Sequence, residues 1–305
     1  MHRSVLVDES VHLLLVESNG IYVDATFGNG GHTTAILEKT KKSTVIGIDI
    51  DIDVIDSVSR IKSLFGNRFK FVRGDFAKIE FLIREEIGEQ FVSGVLLDLG
   101  LRTGMLGNPA RGFSFKSDAP LDMRFNCDCS RTATDVINSY PQRVLAKILR
   151  EFGDIPRANM LAKRIVQKRM RKPIKTTTEL AEIVSDAFPA KSVNEVLPRV
   201  FQAIRIEVND ELLKLQAALE QSIDILRTGG RIVVISYHSA EDRIVKRFFA
   251  IESMDCICPP GLPVCRCGHR RTIETITKKP IVPSLNEISQ NHRARSAKLR
   301  AAQKL

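Results

Sequence analysis

The chain has 305 residues, of which 43% are hydrophobic and 27% are charged. This length suits a buried core and two domains. No apolar run approaches the roughly 20 residues that a membrane span requires, and the N-terminus lacks the apolar core of a signal peptide. The composition excludes a membrane-spanning helix, and we expect a cytoplasmic protein without membrane contact.

The charge is strongly positive and unevenly distributed. Forty-six Lys and Arg residues face 36 Asp and Glu residues, which gives a formal net charge of +10. Residues 163–175 hold seven basic side chains and no acid, and residues 291–305 hold five and no acid. Such clustering favours a phosphate-binding surface, although a solvated helix face is the alternative. Aromatic residues are only 6% and Trp is absent, which disfavours extended base stacking.

Strand and helix patterns alternate through the first hundred residues, which is typical of a doubly wound, mostly parallel sheet. The predicted strands are Ile21–Asp24, Val45–Asp49, Phe69–Val72 and Val92–Gly100. Helices are predicted at Thr33–Glu38, Asp53–Phe65 and Phe76–Ile87.

A glycine turn follows the first predicted strand. Asp24 ends that strand, Gly28, Gly30 and Gly31 allow close approach of a ligand to the main chain, and a helix begins at Thr33. A dinucleotide fingerprint needs a small residue where Thr33 stands. The pattern D-x-x-x-G-x-G-G is instead that of S-adenosylmethionine sites, with a plain loop as the alternative.

Two further strand ends support a nucleoside-type cofactor. Asp49 lies about 20 residues beyond the glycine turn, where an acid can bind the two ribose hydroxyls. The third strand leads into Gly74-Asp75-Phe76.

The alternation stops near Met105. No strand is predicted from there to Ile206, residues 111–124 resemble a loop, and Arg164, Lys168 and Arg171 share one side of a predicted helix. We therefore predict that residues 1–104 and 207–305 form a cofactor-binding domain. Residues 105–206 would form an inserted helical domain that recognises the substrate.

The sheet pattern resumes after the predicted insertion. A helix is predicted to end at Gly229-Gly230, before a buried strand at Arg231–Ser236. A loop of residues 237–242 and a helix at Arg243–Ile251 follow. The last strands are predicted at Thr272–Ile276 and Ser296–Leu299.

Cysteines form two close pairs late in the chain, Cys256-Ile257-Cys258 and Cys265-Arg266-Cys267. Four thiols could hold zinc, but structural zinc sites normally use a two-residue gap. Reduced structural thiols are therefore the favoured interpretation and zinc the alternative, so we assign no metal ligand. Cys127 and Cys129 form another C-x-C with no obvious partner, and a disulfide framework is not expected in a cytoplasmic chain.

Several longer blocks resemble the bacterial 16S rRNA cytosine-N4 methyltransferases (the MraW, or RsmH, family), in the same order and nearly end to end. They are D-A-T-F-G-N-G-G-H at 24–32, L-L-D-L-G at 96–100, R-G-F-S-F at 111–115, P-L-D-M-R at 120–124, F-Q-A-I-R-I at 201–206, V-N-D-E-L at 208–212, H-S-A-E-D-R-I-V-K at 238–246 and R-S-A-K-L-R at 295–300.

This resemblance implies a class I S-adenosylmethionine-dependent methyltransferase domain with an inserted helical domain. The implied reaction is methylation of the N4 amine of a cytidine in the decoding region of 16S rRNA, in the small ribosomal subunit. The residues implied to contact or pack on the cofactor are Gly30, Gly31, His32, Asp49, Phe76 and Asp98. Helix capping, core packing and strand-end capping are the alternatives for His32, Phe76 and Asp98.

The chain departs from the family pattern in three places. Residues 101–105 stand where the family usually has V-S-S-P-Q, and the Gln of that segment touches the cofactor. Ala240 replaces a usual Leu, and His292 replaces a usual Pro. The departure at 101–105 adjoins the predicted site, where the polar contact of the usual Gln with the cofactor is either absent or made by another group.

The chemistry requires an acceptor for a hydrogen of cytosine's poorly nucleophilic amine. Asp98 is our hypothesis for that acceptor, and His238 and Asp242 are candidate groups for positioning the base. One alternative is an RNA-binding ribosome-assembly factor without catalysis. Another is an amino-methyltransferase of another nucleic acid, although Asp98-Leu99-Gly100-Leu101 does not match the D/N/S-P-P-Y/F segment of the DNA enzymes.

Overall fold

The computed structural model describes residues 4–101, 108–126, 129–259 and 264–305. The chain divides into two compact units, residues 1–100 with 213–305 (unit 1) and residues 101–212 (unit 2). The sequence-based domain boundaries, which follow residues 104 and 206, stay a prediction, whereas the two units divide after residues 100 and 212. In the described ranges, no helix is both long and apolar enough to cross a membrane.

The first part of unit 1 alternates helices and strands as predicted. The helices are α1 (Val7–Leu14), α2 (Gly31–Lys39), α3 (Ile55–Phe65) and α4 (Ile79–Ile87), and the strands are β1 (Ile21–Asp24), β2 (Thr44–Asp49), β3 (Phe69–Arg73) and β4 (Val92–Asp98). Asp51 and Asp75 each accept a hydrogen bond from the amide two residues on, and each thereby starts a short 3-10 turn after a strand. Each turn connects its strand to the helix that follows, β2 to α3 and β3 to α4.

Unit 2 contains five helices in its described part and no strand there. They are α5 (Ala133–Ser139), α6 (Gln142–Glu151), α7 (Ala158–Arg169), α8 (Thr177–Ala187) and α9 (Ala190–Asn209). Capping boxes start α5 at Thr132, with Asp135, and α8 at Thr176, with Glu179. One apolar cluster, including Leu145, Leu161 and Ile204, forms the core of this unit.

The chain then continues through α10 (Glu211–Ile225), β5 (Leu226–Ser236), α11 (Ser239–Glu252), β6 (Ile273–Thr275), α12 (Leu285–Gln290) and β7 (Lys298–Lys304). The seven strands form one sheet in the order β3-β2-β1-β4-β5-β7-β6. The first five are parallel, and β7 is antiparallel to both β5 and β6. The predicted doubly wound, mostly parallel sheet is therefore confirmed.

β1, β2 and β4 are buried on both faces, which explains why these strands are largely apolar in sequence. Successive residues of β4 point to opposite faces. Leu96 joins an apolar cluster with Tyr22 and Val233, whereas Leu97 joins a different cluster with Val234. Parallel strands covered on both sides leave their carboxyl ends as the edge where ligands collect.

Three predicted boundaries in this part were wrong. The helix before β5 ends at Ile225 rather than Gly229, because β5 already pairs Leu226 with Val92 and then resumes pairing at Gly94 and Arg231. Gly229, with a φ of 79°, lies in the bulge between these pairs instead of ending a helix. The helix after β5 begins at Ser239 rather than Arg243, and β7 extends to Lys304 rather than Leu299.

Candidate active site

The glycine turn between β1 and α2 uses its glycines for two different purposes. Gly28 and Gly30 have φ angles of 55° and 73°, in the left-handed region that favours glycine. A Cβ atom on Gly30 would lie 2.1 Å from Ile61 Cδ1, whereas one on Gly28 would meet only the Thr26 carbonyl oxygen, at 3.7 Å. Gly30 is therefore required by packing, and the space beside Gly28 is open for a ligand.

The N-terminus of α2 can receive an anionic group. Gly30 is its N-cap residue and supplies no side-chain cap, so the first-turn amides have no capping oxygen from that position. A Cβ atom on Gly31 would lie 2.1 Å from Ser4 Oγ, so the side of Gly31 that would carry a side chain faces the protein. Any contact of Gly31 with a cofactor would therefore be made by its main chain.

Asp49 holds the glycine turn against the end of β2. Its Oδ2 accepts the Gly28 amide at 2.8 Å, and its Oδ1 accepts the Asp51 amide at 2.9 Å. These two amides orient the Asp49 carboxylate at the end of β2. Its predicted contact with ribose hydroxyls stays a prediction.

Asp24 provides a test of whether the turn fits a ligand. Its carboxyl group is buried, with 1% of the residue exposed, and Oδ2 accepts the Thr33 hydroxyl at 2.7 Å. Oδ1 has no hydrogen-bond partner among the described residues. Burial raises the pKa of Asp24 above its ordinary value, and His32 and Thr33 only partly oppose this. A buried unpaired oxygen is costly, and a donor on a bound ligand, such as the ammonium of a methionine moiety, would satisfy it.

Asp98, at the end of β4, is the centre of a polar cluster with Tyr237 and His32. Tyr237 Oη donates to Asp98 Oδ1 at 2.8 Å, and His32 Nδ1 lies 3.7 Å from Asp98 Oδ2. The Asp98 amide donates to Thr26 Oγ1 at 2.6 Å, which fixes the strand end against the glycine turn. The Asp98 side chain is 19% exposed, so the carboxylate is oriented and still accessible.

His32 has a defined tautomer in this cluster. Its Nε2 lies 3.1 Å from the Val5 carbonyl oxygen, and a carbonyl can only accept, so Nε2 carries a proton. Its Nδ1 is then directed at Asp98. The residue is 3% exposed, so His32 is a buried side chain that is anchored to the Val5 carbonyl oxygen and lies near Asp98. Its predicted contact with the cofactor stays a prediction.

Tyr237 is the residue of this cluster that the sequence analysis missed. Burial, followed by the nearby charge of Asp98, raises the pKa of Tyr237 well above its ordinary value, so the phenol stays protonated and acts as a donor. A Cβ atom on Gly100 would lie 2.8 Å from the Tyr237 ring, so the chain after β4 passes close to it. The signal that could have identified Tyr237 is its place directly after β5, which pairs with β4.

His238 and Asp242 are engaged elsewhere in unit 1. His238 is the N-cap of α11 in a capping box with Glu241, whose Oε2 accepts the Tyr237 amide at 2.8 Å. His238 Nε2 lies 3.0 Å from Glu241 Oε1 without the angle of a hydrogen bond. The described contacts of His238 are thus those of a helix cap, and its role in positioning a base stays a prediction.

Asp242 pairs with two cations of β7. Arg300 Nε lies 2.7 Å from Asp242 Oδ1, and Lys298 Nζ lies 3.2 Å from Oδ2. Burial would raise the pKa of Asp242, but the hydrogen bonds and charges of Arg300 and Lys298 outweigh it and lower this pKa. Its predicted role in positioning the substrate also stays a prediction.

Phe76 begins the turn after β3 and is half-buried against the apolar cluster on one face of the sheet. Asp75, which caps that turn, also forms an ion pair of 2.7 Å with Lys214. The ion pair fixes the turn that carries Phe76, and the apolar cluster contacts the Phe76 side chain. Its predicted packing on an adenine stays a prediction.

The basic segment of unit 2 separates into structural and available cations. Arg169 donates to the carbonyl oxygens of Ile137 and Tyr140, and Lys172 pairs with Glu179 at 2.7 Å. Lys168 and Arg171 are exposed and line a cavity of about 190 Å³, together with Arg164, Gln167, Ile183 and Asp186. The three cations predicted to share one side of a helix, Arg164, Lys168 and Arg171, thus line one cavity.

The basic C-terminal tail is largely structural. Lys298 and Arg300 neutralise Asp242, and Lys304 Nζ donates to the carbonyl oxygens of Ile223 and Leu226, at 2.6 Å each. The charges of these three cations therefore satisfy groups of unit 1 itself. Arg293 and Arg295, the other two cations of the tail, are exposed, and the phosphate-binding role of the tail stays a prediction.

The departures at Arg102–Met105, and Cys127, lie outside the described residues. Ala240, which stands for a usual Leu, is buried in the first turn of α11. His292 begins a 3-10 turn that leads to β7.

Comparison with known proteins gives one consistent family. Three relatives bear the name ribosomal RNA small subunit methyltransferase H and align with 100% of this chain. Those of Carboxydothermus hydrogenoformans and Caldicellulosiruptor bescii are each 47% identical over 306 residues, covering 98% and 99% of the relative. That of Clostridioides difficile is 43% identical over 309 residues and is covered to 99%.

A crystal structure of an rRNA methylase from Streptococcus thermophilus aligns with 100% of this chain and 99% of its own. Its TM-score is 0.43 at 13% identity, a likeness too distant to carry an argument. The MraW methylase family model, by contrast, matches residues 1–305. This chain therefore belongs to the MraW methylase family.

Proposed function

We propose that this protein transfers a methyl group from S-adenosylmethionine to the N4 amine of a cytidine in 16S rRNA of the small ribosomal subunit. Membership of the MraW methylase family and the names of the relatives support the reaction and the substrate class. The observation that carries the proposal is the oriented carboxylate of Asp98 beside the glycine turn.

The residues of unit 1 fit the methyl donor. Asp49 and the open side of Gly28 suit the nucleoside, and the unpaired oxygen of Asp24 suits the ammonium of the amino acid moiety. When bound, S-adenosylmethionine supplies an electrophilic methyl group on a sulfonium. The protein then has to position the attacking amine and remove its proton.

Asp98 can perform the proton transfer. The lone pair of the cytosine amine is delocalised into the ring, and an acceptor for one amine hydrogen helps to localise it. As the new nitrogen–carbon bond forms and the sulfur–carbon bond breaks, an amine proton passes to the Asp98 carboxylate. Tyr237 holds Oδ1 of that carboxylate, and hydrogen bonds to charged groups contribute about 1.5–3 kcal/mol.

Unit 2 can bind the rRNA backbone. Lys168 and Arg171 are exposed on the wall of one cavity, and exposed cations of this kind neutralise phosphates. The target cytidine must be unpaired or flipped out for its amine to be reached. We also propose that the protein acts in the cytoplasm, where its substrate is made.

The proposal is tested by methyl transfer from radiolabelled S-adenosylmethionine to small ribosomal subunits and to naked 16S rRNA. The subunits should come from cells that lack the enzyme, and the labelled rRNA should be digested to nucleosides. We expect N4-methylcytidine at one position. Label on another atom, or no label with either substrate, would contradict the proposal.

A further inference from the structure

Four cysteines converge in the connection between α11 and β6. Cys256 and Cys258 lie near the start of this connection, and Cys265 and Cys267 lie further along it. All four sulfurs lie within 4.8 Å of one another. The Sγ–Sγ distances are 3.5 Å for Cys256–Cys265, 3.7 Å for Cys256–Cys267 and 3.5 Å for Cys265–Cys267. Two separate segments thus bring their thiols to one point.

These distances match a tetrahedral thiolate site. A disulfide requires an S–S bond of about 2.05 Å, and the cysteines are free thiols. Four sulfurs at about 2.3 Å from one zinc ion are about 3.8 Å apart in a tetrahedron. The separations of 3.5–3.7 Å among the sulfurs of Cys256, Cys265 and Cys267 lie close to that edge length, and Cys258 Sγ lies within 4.8 Å of these three.

Apolar burial does not explain the convergence. Free cysteines are usually among the most buried residues, but Cys256, Cys265 and Cys267 are exposed and Cys258 is only half-buried. None of the four belongs to an apolar cluster. Exposed thiols that face one another need another source of stability.

The main chain already supports thiolates at this point. The amides of Ile257, Cys258 and Arg266 each donate to a cysteine sulfur at 3.4 Å. Such donors stabilise negative charge on sulfur and are typical supports of metal ligands. Two arginines adjoin the cluster in sequence, Arg266 and Arg270, and their charge opposes the net negative charge of a four-thiolate zinc site.

The ends of the connection are fixed to the fold. The Thr272 amide donates to the Glu252 carbonyl oxygen at 2.9 Å, and His269 Nε2 lies 3.0 Å from the Ile251 carbonyl oxygen. These bonds attach the connection to the end of α11, so the two C-x-C segments start from a fixed part of the fold. His269 is engaged by a carbonyl, which leaves the four sulfurs as the ligand set.

We propose that Cys256, Cys258, Cys265 and Cys267 bind one zinc ion with a structural role. All four positions are filled by protein ligands, which is the mark of a structural rather than a catalytic zinc site. The ion joins the two C-x-C segments at a point where three of the four cysteines are exposed. This site is independent of the methyl-transfer proposal, since none of its residues takes part in the Asp98 cluster.

The zinc content of the full-length protein tests this directly. Protein purified without chelators, under reducing conditions and with zinc in the growth medium, should carry about one zinc per chain by elemental mass spectrometry. The double variant Cys256→Ser/Cys267→Ser should lose zinc by more than about tenfold. Cys129→Ser is the matched control, because Cys129 is an exposed free thiol outside the cluster, and it should keep the wild-type content.

Wild-type protein without zinc, or a double variant that keeps it, would overturn the proposal. A second measurement needs no variant and avoids a folding defect. In the wild type, the four thiols should resist alkylation by N-ethylmaleimide while Cys129 reacts, and a zinc chelator should make all of them reactive. Alkylation of the four at the rate of Cys129 before chelation, or their recovery as disulfides under reducing conditions, would also overturn it.

Discussion

Replacing Tyr237 by Phe removes one hydroxyl from the Asp98 cluster and keeps the ring. The hydroxyl donates to Asp98 Oδ1 at 2.8 Å, and hydrogen bonds to charged groups contribute about 1.5–3 kcal/mol. If that bond holds the carboxylate in its reactive orientation, its loss should lower kcat by about 10–150-fold, at about 1.4 kcal/mol per factor of ten. The affinity for S-adenosylmethionine should change by less than about threefold, because Asp49 and the glycine turn are untouched.

The assay is single-turnover methyl transfer to small ribosomal subunits, with cofactor affinity from isothermal titration. Tyr22→Phe is the matched control, since the Tyr22 hydroxyl is bonded to the Glu17 carbonyl oxygen at 2.7 Å and to the amides of Val16 and Glu17. It should cost about 1–3 kcal/mol of unfolding free energy and leave kcat unchanged. Asp98→Asn should lower turnover further than Tyr237→Phe. Wild-type turnover in a folded Tyr237→Phe protein would refute the orientation argument.

Three other predictions concern the glycine turn with Asp24 and the exposed cations of unit 2. Asp24→Asn removes a carboxylate whose pKa is raised by burial, and an acid with a raised folded-state pKa destabilises the fold above its unfolded pKa. The variant should therefore gain unfolding free energy at pH 7 and lose that gain below about pH 4, which denaturant titration at both pH values measures. It should also bind the cofactor more weakly. Gly30→Ala should be less stable than Gly28→Ala, because its Cβ atom would meet Ile61 and Phe27. Gly28→Ala should fold, with about 1–2 kcal/mol of backbone strain, and should lose cofactor affinity. Equal stability of the two variants in thermal melts would contradict the packing argument. Lys168→Glu should weaken rRNA binding and reduce its salt dependence by about one unit of slope, whereas Lys147→Glu, on α6, should not, and filter binding across salt concentrations compares them.

The N-terminal half of unit 1 could be predicted from the sequence because its signals are local. Buried strands such as Val92–Asp98 are largely apolar, and the strands at Asp24, Asp49 and Asp98 each end at an acid. The glycine turn is likewise visible in the spacing of Gly28, Gly30 and Gly31. Which of these glycines faces open space depends on Ile61 of α3, and no local pattern contains that contact.

The parts that could not be predicted depend on pairing between distant residues. Gly229 was interpreted as a helix stop, but the pairing of β5 with Val92 makes it part of a bulge. Tyr237 carries no motif of its own and gains its role only because β5 lies beside β4. The ion pairs of Lys298 and Arg300 could not be predicted because their partner, Asp242, lies 56 and 58 residues earlier in the chain.

Titration of the purified protein with S-adenosylmethionine tests the central claim most directly, which is that the turn at Gly28 and the acid at Asp49 form a cofactor site. We expect saturable heat with about one site per chain, and its loss in Asp49→Ala when thermal melts show that this variant is folded. Absence of binding heat in the folded wild type, or unchanged binding in Asp49→Ala, would contradict the account.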